Sequence, residues 1–258
     1  MITVILPAYN EELALPPLLD RLAGVRARSG LDLHVLVVDD GSQDATAAVV
    51  TSRSEQSPWV ELLRHDHNMG LSQGLRTGFE AAAARSKPGD VIITMDADNT
   101  QPPELIDRML GAVENGADVV IGSRFQPGAE VHGVPAMRRL YSRVMSILFR
   151  AAFPIPGVRD YSCGFRAYRA ETLQRALAAY GDGFITEQGF ACMVEVLFQL
   201  DRLHGVRFAE VPMVLHYDLK PTETKMNVLR TIRDTLRLGL RQRARRRQPL
   251  PGETARPV

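Results

Sequence analysis

In the stretch "DVIITMDADNTQPPEL", residues 90–105, a run of apolar and β-branched residues delivers two aspartates, Asp96 and Asp98, separated only by Ala97. Like charges this close repel one another unless water or a cation lies between them. At a strand-to-turn exit both carboxylates can swing toward one ligand. Oxygen-only ligation suits Mg²⁺ or Mn²⁺, above all when a diphosphate on the ligand completes the octahedron. The plainer alternative is a solvated turn in which Asp98 caps the helix that "PPEL" begins, since proline is at home in a first turn.

Other apolar runs also end in residues that could hold a nucleotide. "LPAYNEE" offers Tyr9 for stacking on a base and Glu11 as an acceptor, or simply Asn10 as an N-cap before acidic first-turn residues. "VVDDGSQDAT" offers Asp39 and Asp40 to base or ribose hydroxyls, with Gly41 permitting a tight turn. "HNMGLSQGLRTG" carries Gly70, Gly74 and Gly78, which a close approach of helix to strand explains. The six histidines form no metal-binding spacing, and "HDH" at His65–His67 reads as a surface turn. Cys163 and Cys192 are too few for a disulfide framework and read as small buried hydrophobes in a reducing compartment.

The segments "ITVILPAYN", "LHVLVVDDGS", "VELLRHDHNMG", "VIITMDAD" and "ADVVIGSR" read as strands. Helices alternate with them. "EELALPPLLDRLAGVRAR" places Leu15, Leu18, Leu19 and Leu22 on one stripe, "DATAAVVTSRS" has Asp44 as its N-cap, and "LSQGLRTGFEAAAAR" follows. Strands that are apolar on both faces and alternate with helices imply an α/β fold, with a mostly parallel sheet covered on both sides. Ligands bind such sheets beyond the carboxyl ends of the strands, where the aspartates gather.

Downstream, "FQPGAEVHGVPA" reads as a mobile loop and "MRRLYSRVMSILFRAAF" as a strong helix. "RDYSCGFRAYRAETL" reads as a loop entering a helix, "GFITEQGFACMVEVLFQLDRLHG" as mostly helical, and "VRFAEVPMVLHY" as a late strand. A formal net charge of +1 gives no global argument for nucleic acid. No run of about 18 apolar residues is present, so no membrane span is expected. Met1 opens directly onto a strand, which leaves no room for a signal peptide.

The ordered run "PAYNEE", "VVDDGSQDAT", "HNMGLSQGLRTG", "MDAD", "GSR" resembles the family-2 glycosyltransferases of GT-A fold, over nearly the whole chain. The downstream segments "SRF" at 123–125, "RRLYSR" at 138–143, "DYSCGFRAYR" at 160–169, "EVP" at 210–212 and "TKM" at 224–226 resemble the polyprenyl-phosphate sugar transferases within it. The resemblance implies that Pro7, Tyr9, Glu11, Asp39, Asp40, Asn68, Gly70 and Asp96 hold a nucleotide sugar. It implies that Asp96 and Asp98 bind the metal, with Arg124 completing the catalytic set. Arg124, Arg138, Ser142 and Lys225 would bind the acceptor phosphate. Arg138 and Ser142 are four apart on one helix and share a face, which Met145 and Phe149 continue. That is a charged head on an apolar ridge, as a lipid phosphate requires. Two departures stand out. Where the family reads Asp-Ala-Asp-x-Gln-His-Pro-Pro, Thr100 occupies the Gln place and Gln101 follows, and the late loop reads "YDLKPTETKM" without the usual Arg and Gly.

The expected domains are a GT-A unit over 1–224, a basic amphipathic helix over 225–247 and a disordered tail over 248–258. In that helix Leu229, Ile232, Leu236 and Leu240 form one stripe and Arg230, Arg233, Arg237 and Arg241 another, a pattern suited to an anionic membrane surface. No aromatic interleaving accompanies it, so no nucleic-acid partner is expected, and nothing in the sequence identifies a membrane-protein partner. The expected activity is inverting transfer of a hexose to polyprenyl phosphate at the cytoplasmic face of the membrane. GDP-mannose is the favoured donor, UDP-glucose the second, and Mg²⁺ or Mn²⁺ the cofactor. The alternatives are a soluble glycosyltransferase using Asp160 as its base, and a non-catalytic nucleotide-sugar-binding protein.

Overall fold

The computed structural model describes residues 1–219 and 238. The first half alternates strand and helix: β1 (Ile2–Ala8), α1 (Leu15–Ser29), β2 (Leu33–Asp39), α2 (Thr46–Gln56), β3 (Val60–Arg64), α3 (Leu71–Arg85) and β4 (Val91–Thr94). After a short 3₁₀ turn at Pro103–Leu105 come α4 (Ile106–Glu114), β5 (Val119–Ser123), β6 (Glu130–His132), α5 (Ala136–Ala152), β7 (Arg166–Arg169), α6 (Ala170–Tyr180), α7 (Ala191–Asp201), β8 (Phe208–Pro212) and β9 (Val214–His216). Seven strands form one sheet in the order β3-β2-β1-β4-β7-β5-β8, and β6 pairs with β9 in a separate ribbon.

Strand alternation sorts the core into two layers. Val4, Leu6, Val35 and Val37 face Leu18 and Leu22 of α1 and Ile106 and Met109 of α4. Ile5, Leu36 and Val38 face Leu75 and Phe79 of α3, Leu173 of α6 and Val196 of α7. The leucine stripe of α1 is buried as its spacing predicts, each leucine contributing about 1.5–3 kcal/mol. On α3 a Cβ at Gly78 would lie 2.4 Å from Ile5 Cγ2, so glycine lets this helix settle directly on β1.

Three expectations need correction. "FRAYR" is not loop: β7 lies between β4 and β5 and runs antiparallel to both. Two arginines in four residues hide a strand whose Arg166 is fully buried, its guanidinium donating to the carbonyls of Met193 and Tyr161 at 2.6 and 2.8 Å. The segment read as a mobile loop contains β6, which pairs in parallel with β9. "VRFAEVPMVLHY" is two strands rather than one, because Met213 is interposed and its N–H turns to Ser123 O. The expected helix over 225–247 and tail over 248–258 lie outside the described residues, apart from Leu238, which is helical and buried.

Candidate active site

Beyond the carboxyl ends of β1, β2, β4 and β5 lies one cleft of about 560 Å³. Of the residues expected to act, Pro7, Tyr9, Glu11, Asp40, Asn68, Gly70, Asp96, Asp98, Arg124 and Ser142 line it. Asp39 does not. It is fully buried, its Oδ1 accepting from Ser42 N at 3.0 Å while Arg64 Nε stands 3.2 Å from its Oδ2. Arg138 belongs to α5, its side chain lying outside the described residues along with Lys225.

The exits of β1 and β2 are laced together. Asn10 has a positive φ of 55°, donates its N–H to Ser42 Oγ and accepts from Gln43 N through Oδ1. The side chain therefore joins two loops and does not cap α1, which starts at Leu15 without a side-chain cap. Asp44 is not the expected N-cap of α2, which is Ala45 without a side-chain cap; its carboxylate accepts from Thr46 N at 2.9 Å and from Glu12 N at 3.2 Å. Gly41 takes φ +68°, and a Cβ there would lie 2.4 Å from the His67 backbone.

Asp40 turns the other way, into the cleft. Its carboxylate accepts from Met69 N and Gly70 N at 2.9 and 2.7 Å and contacts His65 Nδ1 at 2.7 Å. His65 Nε2 is 3.0 Å from Thr77 Oγ1 of α3. His65 is thus no surface turn residue, but a brace between Asp40 and α3 that no spacing signal marks.

Asp96 and Asp98 both reach the cleft from the β4 exit, where the chain turns through Asn99 at φ 60°. The two residues at the family's departure point each hold one of them. Thr100 donates its N–H and Oγ1 to Asp98 Oδ1 at 3.2 and 2.7 Å. Gln101 accepts from Asp96 N at 2.9 Å and donates Nε2 to Asp96 Oδ2 at 2.7 Å. Asp98 therefore closes a local turn with Thr100 and does not cap α4, whose N-terminus has no side-chain cap. Across from them Gly164 leaves space, since a Cβ there would stand 2.9 Å from Asp96 Oδ1. Among the described residues no group of three or more His, Cys, Asp or Glu could hold a metal. Two hard oxygen donors on an open wall fit Mg²⁺ or Mn²⁺ whose remaining positions are filled by ligand oxygens and water.

The opposite wall is built around Arg124. Its Nε and Nη2 donate to both oxygens of Asp160 at 2.8 and 2.7 Å, and its backbone N–H to Asp160 Oδ2 at 3.0 Å. Nη2 also reaches Ser162 Oγ at 2.8 Å. Burial pushes the Asp160 carboxyl up, but the Arg124 guanidinium more than reverses this and holds it below the usual range. Burial likewise works against the Arg124 charge, and Asp160 outweighs it, keeping Arg124 charged throughout. Behind this pair, Glu210 Oε1 accepts from Arg159 N and Asp160 N at 2.6 and 2.7 Å. A buried, doubly bonded, ionised Asp160 cannot collect a proton, so its expected alternative role as a base is not supported by this geometry. Cys163, also on the cleft wall, is a buried thiol pushed up to about 12 by desolvation, and Cys192 likewise, so neither is a nucleophile at neutral pH.

α5 forms the far side. Ser142, Met145, Ser146 and Phe149 line the cleft as one stripe, joined by Arg139, Tyr141 and Arg143. Sequence reasoning gave roles to Ser142 and its stripe but none to Arg139, Arg143 or Phe125, for which no spacing signal exists, and it met Thr100 only as a departure from the family's pattern.

The glycosyl transferase family 2 model matches residues 3–177. The chain is 36% identical to undecaprenyl-phosphate mannosyltransferase of Micrococcus luteus over 212 residues, 82% of each chain. It is 34% identical to dolichol-phosphate mannosyltransferase of Pyrococcus furiosus over 199 residues, 77% of this chain and about half, 52%, of that relative. Its fold matches glucosyl-3-phosphoglycerate synthase from Mycobacterium tuberculosis, solved with Mn²⁺, UDP-glucose and phosphoglyceric acid, with a TM-score of 0.66 at 18% identity over 94% of this chain and 79% of that one. The sheet with helices on both faces is the GT-A fold, and the chain belongs to glycosyl transferase family 2.

Proposed function

We propose that the chain transfers a hexose from a nucleotide sugar to the phosphate of a polyprenyl lipid, with inversion at the anomeric carbon. The observation that carries this is the cleft itself: a carboxylate pair on one wall, a fixed guanidinium on the second and an apolar helix stripe on the third. Tyr9, Glu11 and Asp40 hold the nucleoside, with Asn68 and Gly70 beside it. Asp96 and Asp98 hold a divalent ion, which when bound neutralises charge on the departing diphosphate. Arg124 and Ser142 take the acceptor phosphate, and Met145 and Phe149 receive the first apolar units of its chain.

An acceptor phosphate oxygen attacks the anomeric carbon as the bond to the donor diphosphate breaks, and the nucleoside diphosphate leaves with the electron pair. The attacking oxygen is already anionic, so no base is needed, and the protein contributes positioning and charge. This matches a site in which Asp160 is committed to Arg124. The two mannosyltransferase relatives support mannose and hence GDP-mannose as donor, with UDP-glucose second. Among the described residues no helix is long and apolar enough to cross a membrane, which fits a peripheral protein at the cytoplasmic face.

The test is a donor panel of GDP-mannose, UDP-glucose and UDP-N-acetylglucosamine with polyprenyl phosphate and Mg²⁺ or Mn²⁺. Formation of glycosyl polyprenyl phosphate is the expected result. Transfer only to free alcohols, with the lipid phosphate inert, would overturn the reading.

A further inference from the structure

Glu195 of α7 has no part in the proposed chemistry, yet it is a fully buried carboxylate. Taking such a group out of water is costly unless its oxygens are bonded, and burial pushes its carboxyl above the ordinary range. Its partners all belong to one short loop. Oε2 accepts from the N–H groups of Thr186 and Glu187, each at 2.7 Å, and Oε1 accepts from the Thr186 hydroxyl. Thr186, Gln188, Gly189 and Phe190 are themselves exposed. A buried acceptor thus grips an exposed loop from beneath, and a fully bonded buried group rigidifies what it touches.

The start of the loop is anchored to α3. Phe184 packs on Phe79 with ring centroids 6.1 Å apart, and Arg76 donates to Ile185 O at 2.7 Å. From there the bonds to Glu195 fix the path, and the chain turns through Gly189 at φ 58° to deliver Phe190 just before α7. Phe190 lines the cleft together with Val194, four residues on.

This short stripe stands between the two kinds of wall. On one side is Gly164, where a Cβ would lie 3.1 Å from Met193 Cε and 2.9 Å from Asp96 Oδ1. On the other, Phe198 continues the stripe to Tyr161 at 6.4 Å between centroids, and Tyr161 meets Phe149 of α5 at 5.6 Å. Phe190 and Val194 therefore lie between the carboxylates and the apolar stripe of α5, where a sugar would pass from diphosphate to acceptor.

We propose that Glu195 is a positioning residue, whose carboxylate holds residues 186–190 so that Phe190 forms the wall against the C–H face of the transferred sugar. The sugar as occupant rests on the proposed nucleotide-sugar reading; the holding of the loop does not. Such a wall adds affinity for the sugar half of the donor and leaves the nucleoside half untouched.

Two substitutions separate positioning from folding. Glu195→Met keeps the length and removes both acceptors, and exchanging a buried charge for a similar apolar group is often neutral for stability. Glu195→Gln can still accept both N–H groups through Oε1 and donate Nε2 to the Thr186 hydroxyl. In Glu195→Met the amide protons of 186 and 187 should exchange at least about tenfold faster than in the parent, by residue-resolved NMR. The melting temperature should stay within about 3 °C. Calorimetry with Mn²⁺ present then compares GDP-mannose with GDP and UDP-glucose with UDP. For the pair that the parent binds, Glu195→Met should weaken the nucleotide sugar about tenfold and leave the diphosphate unchanged. Phe190→Ala should do the same, and the double variant should be no weaker than Phe190→Ala alone. Glu195→Gln should restore affinity to within about twofold of the parent. Thr186→Val, a change at an exposed residue, removes one of the three bonds and should show the same pattern in weaker form, so the test survives if Glu195→Met does not fold.

Unchanged exchange at 186 and 187 in Glu195→Met means that other bonds hold the loop, and overturns the proposal. Equal losses for nucleotide sugar and diphosphate make Glu195 a merely structural residue and overturn it as well. Additive losses in the double variant detach Glu195 from Phe190. A parent that binds neither pair removes the donor reading instead, and exchange at 186 and 187 then decides alone whether Glu195 holds the loop.

Discussion

Asp98 and Arg124 face the same cleft, yet the two walls that present them are held by different kinds of bond. On the β1–β4 side the carboxylates are fixed by groups close in sequence: Asp98 by Thr100, Asp96 by Gln101. On the β5–β8 side Arg124 is fixed by Asp160 and Ser162, and Asp160 in turn by a segment that Glu210 holds. The first wall is a set of turns at the ends of parallel strands. The second is a chain of charged contacts between distant segments, completed only when β7 has entered the sheet antiparallel. Local turns leave a functional carboxylate replaceable without harm to the fold. A buried ion pair ties function and stability together.

That difference is broken most directly at Asp98. Asp98→Ala should lower metal-dependent turnover about a thousandfold, since an ion holding the diphosphate supplies several kcal/mol of charge stabilisation. It should cost the fold only about 1 kcal/mol, the worth of its turn hydrogen bonds. Turnover against metal concentration, with thermal denaturation alongside, measures both. Turnover within tenfold of the parent, or undiminished in excess chelator, sinks the metal assignment.

At Asp160 the expected balance is reversed. Asp160→Asn should destabilise the fold by about 1–3 kcal/mol, because Arg124, its side chain 22% exposed at the cleft, keeps its charge but loses its buried carboxylate partner. The pH dependence carries a sign. Arg124 holds the folded-state Asp160 carboxyl below its ordinary value. Its stabilisation is therefore present above the unfolded pKa, about 3.9, and is lost as pH falls through the folded one. Denaturant midpoints followed downward from neutral pH should show an acid decline in the parent that is shallower in Asp160→Asn. Equal declines would detach Asp160 from the stability of this wall.

A smaller effect is expected at Gln101, which touches Asp96 from both ends of its amide. Gln101→Ala should lower kcat/KM about tenfold to a hundredfold, the worth of a hydrogen bond to a charged group at 1.5–3 kcal/mol. The loss should appear chiefly in the metal activation constant. A loss confined to acceptor KM would move Gln101 to the other wall.

The same contrast explains what could be read from the sequence. β1, β2 and β4 are nearly continuous apolar runs ending in aspartates, and both period and chemistry survive in one dimension. Thr100 and Gln101 were visible as departures, but their bonds to Asp98 and Asp96 depend on the turn at Asn99. β7 was illegible because burial of Arg166 is made tolerable by carbonyls of Met193 and Tyr161, 27 and 5 residues away. Asp160 invited reading as a base because its partner lies 36 residues upstream. The apolar outer face of α5 drew no reading beyond that of a strong helix, since spacing alone does not tell a buried stripe from one that faces outward.

The smallest expected effect lies where the two walls meet. Gly164 belongs to the segment following Asp160, and its carbonyl accepts from Thr94 Oγ1 of β4 at 2.6 Å. An added Cβ would come within 2.9 Å of Asp96 Oδ1 and 3.1 Å of Met193 Cε. Methionine can yield, but Asp96 cannot turn freely while Gln101 Nε2 holds its other oxygen at 2.7 Å. Gly164→Ala should therefore raise the metal activation constant about fivefold, equivalent to about 1 kcal/mol of overpacking, and lower the melting temperature by about 2–4 °C. Gly74→Ala is the matched change on the other wall, where the new Cβ would meet Pro7 Cβ at 3.4 Å, an ordinary contact. It should leave the metal constant unchanged. If both variants respond alike to metal, Asp96 is not restrained from the Arg124 side, and the two walls act on the ion independently.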